Sequence, residues 1–269
     1  MATEEHPVER FQRFARTVLA HWNGGQGDQH DPERARSVYQ SSTMGALIQG
    51  VYDGDVTVGE LLKHGDFGLG TFNHLDGEML VMDGVCYHLH ADGSVEVASG
   101  DDRSPFAALT RFRTDISEKV SSPMTRQEVT ALVDRLIRSA NLIYAVKITG
   151  LFPTVTTRTV KEQKPPYPPL TEAAAGQAET TFTDVEGTLV GYRTPDYEQG
   201  ISVAGYHLHF IDTSHTRGGH DLDFILDRGT IELAERSALQ LALPTTEQFL
   251  SSDLTPANLE SQIRQAEGG

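Results

Sequence analysis

The sequence predicts a mixed α/β fold (α+β) of two domains, built largely on antiparallel β-sheets with a few covering helices. Three observations carry this expectation. Asp-Gly pairs at Asp76-Gly77, Asp83-Gly84 and Asp92-Gly93 fall between β-rich runs, which is the pattern of tight hairpins. Thr57 with Glu60, and Thr125 with Glu128, have the spacing of capping boxes. Four prolines between Lys164 and Leu170 lack amide donors and cannot join a sheet interior.

Taken in order, residues 1–37 form an acidic lead with a short amphipathic stretch, Phe11, Phe14, Val18 and Leu19, followed by a Gly/Gln/Asp/His-rich run. That composition buries too little apolar surface to order alone, so the first domain is expected to start near Val38. The Thr57 box opens a short helix ending at His64-Gly65. The Asp-Gly turns then separate strands at 69–73, 78–82, 85–90 and 95–98, an antiparallel meander. The Thr125 box opens a second helix whose Val129, Leu132, Val133, Leu136 and Ile137 follow the helical period and face a sheet. Strands at 142–149 and 154–160 follow from β-branched content. The proline connector and the run 172–177 mark the domain boundary, giving domains of 38–164 and 165–269. Strands at 180–193, 201–210 and 222–232 come next, and Thr255-Pro256 starts a closing helix over 256–266.

Composition excludes several function classes. Across 269 residues, 38 acidic side chains oppose 22 basic ones, and a net charge of −16 would repel phosphate backbones and anionic lipid. A small-molecule partner is expected, with no nucleic acid and no membrane. No apolar run approaches the length of a membrane-spanning helix. The single cysteine, Cys86, excludes an intrachain disulfide, and the first thirty residues hold no secretory apolar core, so the cytoplasm is the expected location.

The 11 histidines are unevenly placed. His207 and His209 lie two apart on a predicted strand and project to the same face. His220 follows a turn-forming segment, and a hairpin would return it beside them. Three neutral imidazoles with an open position suit catalytic zinc or another divalent first-row metal. Alternate histidines on a solvated strand face are the competing reading, and His215, inside the turn, is a weaker third ligand. Cys86, His88 and His90 also share a strand face. Three same-face positions of one strand spread over roughly 13 Å, however, so one ion cannot be held by all three. That face reads as a polar surface with one half-buried cysteine.

Acid–base groups are harder to place by spacing. Glu78 opens a strand directly after a turn, where structural glutamates are ordinary. Arg158, among Thr154, Thr156 and Thr159, could grip a carboxylate bidentately or be a solvated strand arginine. The glycines at 65, 68 and 70 precede a strand rather than a helix, which rules out a phosphate cradle. No serine has nucleophile-elbow context, and Cys86 has no activating neighbour in sequence.

Several separated blocks then resemble the α-acetolactate decarboxylases: YQSSTMGALIQGVYDG at 39–54, GLGTFN at 68–73 with LDGE at 75–78, PPYPPL at 165–170, and GYHLHF at 205–210 with GGHDLDF at 218–224. The likeness runs from about Val38 to the C-terminus. It implies a two-domain fold with a zinc ion bound between the domains by His207, His209 and His220, no organic cofactor, and a homodimer. By the same motifs it implies catalytic roles for Glu78 and Arg158, with Thr71 and Arg158 binding substrate. A further catalytic glutamate in the C-terminal tail matches Glu267, with Glu260 as the fallback. The family need not have histidines on the 85–90 strand, which agrees with His88 and His90 being structural.

The implied substrate is acetolactate, 2-hydroxy-2-methyl-3-oxobutanoate, decarboxylated to acetoin and CO2 through a metal-stabilised enediolate that a glutamate protonates. One of the two glutamates should therefore have a raised pKa from burial beside the other. The rival reading is a cupin-like metal-dependent dioxygenase, although Asp212 stands where those barrels carry glutamate and the predicted helices suit a barrel poorly. A structural zinc module is a further alternative, which would require a fourth protein ligand.

Overall fold

A computed structural model describes residues 36–256 and 258–267. The amphipathic stretch predicted within 1–37 lies outside the described residues. The described residues, from Arg36 onward, pack as one compact unit.

Two seven-stranded sheets form the frame. The first contains β1 (Ser37–Ser41), β3 (Phe67–Thr71), β4 (Glu78–Met82), β5 (Val85–Leu89), β6 (Val95–Val97), β8 (Phe106–Thr110) and β16 (Ala238–Ala242), in the order β16-β1-β8-β3-β4-β5-β6. The second contains β9 (Ile116–Val120), β10 (Met124–Thr125), β11 (Ile143–Thr159), β12 (Ala178–Thr194), β13 (Gly205–Asp212), β14 (Gly218–Leu226) and β15 (Arg228–Arg236), in the order β10-β14-β13-β12-β11-β15-β9. Within it β14 pairs with both β13 and β11, so β11 to β14 close on one another. A short ribbon joins β2 (Val56–Thr57) to β7 (Arg103–Ser104). Apart from the parallel β1–β16 pair, these pairings are antiparallel.

Among the described residues the α-helices are α1 (Met44–Ile48), α2 (Val58–Leu61), α3 (Arg126–Leu136), α4 (Leu170–Ala173), α5 (Glu247–Ser251) and α6 (Leu259–Glu267). Both expected capping boxes are formed, with Thr57 and Thr125 each accepting the N3 amide and Glu60 and Glu128 reaching back. Val129 and Val133 of α3 pack on Tyr144, Val146, Leu208 and Phe224, which covers the outer face of the second sheet. The inner faces of the two sheets share another core, joining Leu69, Leu80 and Leu89 to Ala145, Val190 and Tyr192.

The proline connector does not separate the sheets. It joins β11 to β12, which are neighbours in the second sheet, while β9 and β10 from the expected first domain belong to that sheet and β16 returns to the first. The proline rule was sound in keeping 165–169 out of the sheets, but a strand-to-strand crossing needs such a break as much as a domain linker does. The expected break at 172–177 overlaps the end of α4 and contains a 3-10 turn, Ala174–Gly176.

The strands expected at 142–149 and 154–160 form one 17-residue strand. Pro153 interrupts it without ending it, because β11 changes partners there. Pairing with β15 stops at Leu151 and pairing with β14 starts at Thr154. A residue without an amide donor fits where no ladder bond is required on that edge. The strand expected at 222–232 is instead two, β14 and β15, divided at Asp227.

Candidate active site

The site lies between the inner faces of the two sheets. β13 carries His207 and His209 on one face, and the β13–β14 hairpin places His209 directly opposite His220. The three rings approach to 5.0–5.3 Å between centroids. One nitrogen from each falls within 4.8 Å of the others, and all three residues are buried.

A register shift completes the cluster. Thr156 of β11 faces Asp223 of β14, but Thr157 faces Asp221, so one residue of β14 bulges out. Without the bulge Arg158 would face Asp221; with it, Arg158 faces His220. Gly219 permits the close approach, since an added Cβ there would meet Thr157 and Thr159 side-chain atoms at 2.9 Å.

Arg158 is 4% exposed and spreads its donors over three partners. Nη1 donates to Gln177 Oε1 at 3.0 Å, and Nη2 lies 3.3 Å from both His220 Nε2 and Glu267 Oε2. Glu267, at the end of α6, also lies 3.6 Å from His207 Nε2 and 3.7 Å from His220 Nδ1. From the first sheet, Glu78 comes within 3.6 Å of His209 Nε2. Thr71 faces Glu78 across the β3–β4 pair and donates its hydroxyl proton to Gly77 O at 2.7 Å. Met44, Leu47, Leu75, Phe106, Val160 and Leu170 supply the apolar wall.

The donor set fits a divalent metal. His209 Nδ1 is 2.8 Å from the Met79 carbonyl, which only accepts, so Nδ1 carries the proton and Nε2 presents its lone pair. That Nε2 is buried and has no hydrogen-bond partner. Burial, reinforced by Arg158, holds His207 neutral down to about 3. Burial, with His207 beside it, does the same for His209, again to about 3, and His220 is likewise driven well below its usual value. Neutral imidazoles are the form a metal requires. Burial pushes Glu78 up to about 8, with Arg158 opposing and Glu267 adding to the rise.

The structure therefore brings together all seven residues singled out in the sequence: Thr71, Glu78, Arg158, His207, His209, His220 and Glu267. Glu260 faces away and pairs with Arg264. His215 meets the Tyr87 hydroxyl instead of the cluster. Gln177 and the Met79 carbonyl were missed, because neither has a recognisable sequence pattern. Met44 and Leu47 of α1 line the pocket, but no spacing rule within residues 39–54 marks them as its wall.

The family model for alpha-acetolactate decarboxylase matches residues 38–256. The chain belongs to the alpha-acetolactate decarboxylase family. It is 43% identical to the alpha-acetolactate decarboxylase of Bacillus subtilis over 86% of this chain and 91% of that one. Against the Klebsiella aerogenes alpha-acetolactate decarboxylase the figures are 45%, 86% and 88%. The crystal structure of alpha-acetolactate decarboxylase from Bacillus subtilis strain 168 superposes with a TM-score of 0.85, covering 87% of this chain and all of that one. The alpha-acetolactate decarboxylase fold replaces the cupin-like alternative. No helix among the described residues is long and apolar enough to cross a membrane.

Proposed function

We propose that the protein decarboxylates acetolactate to acetoin and CO2 at this site, with zinc or another divalent first-row ion held by His207, His209 and His220. The observation that carries the metal is the buried, unpartnered Nε2 of His209 facing two further neutral imidazoles. When bound, the ion supplies Lewis-acid stabilisation of the negative charge that develops on the substrate oxygens.

Arg158 binds and orients the substrate carboxylate, its fork held by Gln177 on one side. The apolar wall receives the two methyl groups and excludes water from the reacting carbon. As the bond from C2 to the carboxylate carbon breaks, its electron pair passes to C2 and the adjacent ketone, leaving an enediolate. Glu78, whose burial favours the protonated form, delivers a proton to C2 from one face and so fixes the configuration of acetoin. Glu267, against Arg158 and His207, holds the guanidinium on the opposite side from Gln177.

The same reading includes a homodimer in the cytoplasm. The direct test of the reaction is acetoin formation from acetolactate by the purified protein. A rate above the spontaneous one supports the reading, and none above it refutes the reading.

A further inference from the structure

We propose that Asp76, His88 and His90, with Glu96 at their edge, form a second divalent-metal site on the face of the first sheet opposite the active-site pocket. One donor atom from each of the first three lies within 4.8 Å of the others. The His88 and His90 rings lie 3.9 Å apart between centroids, tilted by 34°, and Phe72 stacks on His88 at 3.9 Å, which fixes the His88 ring plane. The β5–β6 register sets Glu96 opposite His88, and Glu96 Oε1 reaches His90 Nε2 at 3.2 Å. Asp76 Oδ2 lies 3.9 Å from His88 Nε2.

Spacing along one strand argues against a site here, because Cys86, His88 and His90 spread over roughly 13 Å. The rejection holds for Cys86, which is buried among Val58, Leu61 and Val81. The missing donors come from outside the strand, Asp76 from the turn before β4 and Glu96 from β6. Gly77 makes room for the turn. Its φ is +72°, and an added Cβ would meet Leu89 O at 2.3 Å and His88 Nε2 at 3.0 Å.

The charge balance favours a cation. Among the described residues, the ion-pair partners of Asp76 and Glu96 are these two histidines, with no lysine or arginine. Two imidazoles with carboxylates suit zinc, cobalt or nickel better than magnesium or calcium. Without metal, His88 Nε2 donates to the Asp76 carbonyl at 2.6 Å. Binding through Nε2 breaks that hydrogen bond and moves the proton to Nδ1, whereas His209 Nε2 has no hydrogen bond to give up. An ion here would pin the 72–78 connection, whose inner end carries Glu78.

The test uses the intact protein equilibrated against rising buffered free zinc, with bound zinc counted per chain. The wild type should take up a second equivalent that His90→Gln lacks, and Glu96→Gln should bind that equivalent more weakly. His90 and Glu96 are partly or largely exposed, so these variants should keep the fold, which circular dichroism checks. Cobalt should give a second set of visible d–d bands that is absent in His90→Gln. His209→Gln should keep this second equivalent while losing the first, which separates failure of this site from failure of the trio. Equal zinc uptake by the wild type and His90→Gln overturns the proposal.

Discussion

Arg158 Nη2 lies 3.3 Å from both Glu267 Oε2 and His220 Nε2, joining three elements that are far apart in the chain. Lysine has a single point of donation and cannot span Gln177, His220 and Glu267 together. Arg158→Lys should therefore lower kcat/KM on the order of 100-fold, with much of the loss in KM, as steady-state kinetics would show. An unchanged kcat/KM would remove Arg158 from substrate binding.

Glu78→Gln keeps the shape of the side chain and removes its proton. The expected loss is on the order of 10²–10⁴-fold in kcat with a smaller change in KM. Retained kcat would reassign proton delivery to another group.

Asp212 ties down the β13–β14 turn that returns His220 to His209. Its carboxylate accepts from the Thr216 and Arg217 amides, the Ser214 hydroxyl and Arg217 Nε. Burial pushes this carboxyl up, but the donated hydrogen bonds together outweigh it and hold the pKa below the ordinary 3.8. A depressed pKa contributes stability above the unfolded value and loses it as pH falls through the folded one. Asp212→Asn should cost about 2 kcal/mol near neutrality, and the difference should shrink below about pH 4. Urea midpoints at the two pH values check both parts.

Arg236 is 2% exposed, at the point where the chain leaves the second sheet for β16. It donates to Thr110 Oγ1 at 2.7 Å, and to the carbonyls of Arg111 and Glu235 at 2.6 Å each. Arg236→Ala strands these acceptors and opens a cavity, so a loss of about 3 kcal/mol is expected in denaturant unfolding. The histidine trio lies on other strands, so metal content of the folded fraction should not change.

The histidine trio was legible because period-two projection and a turn are local rules, and both operate within fourteen residues. The Arg158–His220 contact was not, since it depends on a bulge between strands more than sixty residues apart. Glu267 came only from resemblance, because its place is set by how α6 docks. The strands β1, β8 and β16 escaped because serine, glutamine and alanine dilute their β signal. Proline content located a break near 165 correctly but could not say whether the chain crossed to another sheet or to its neighbour in the same one.

The net charge of −16 sharpens the demand on the site, since a global negative field slows an anionic substrate. The attracting charge must be local, supplied by Arg158 and by the ion the trio would hold. The most direct measurement strips the metal with a chelator, follows acetoin formation from acetolactate, and repeats this after zinc is restored. Activity that disappears on stripping and returns as zinc fills the trio is the predicted result. Full activity in protein shown to be metal-free, or no return of activity with the trio filled, would contradict the account.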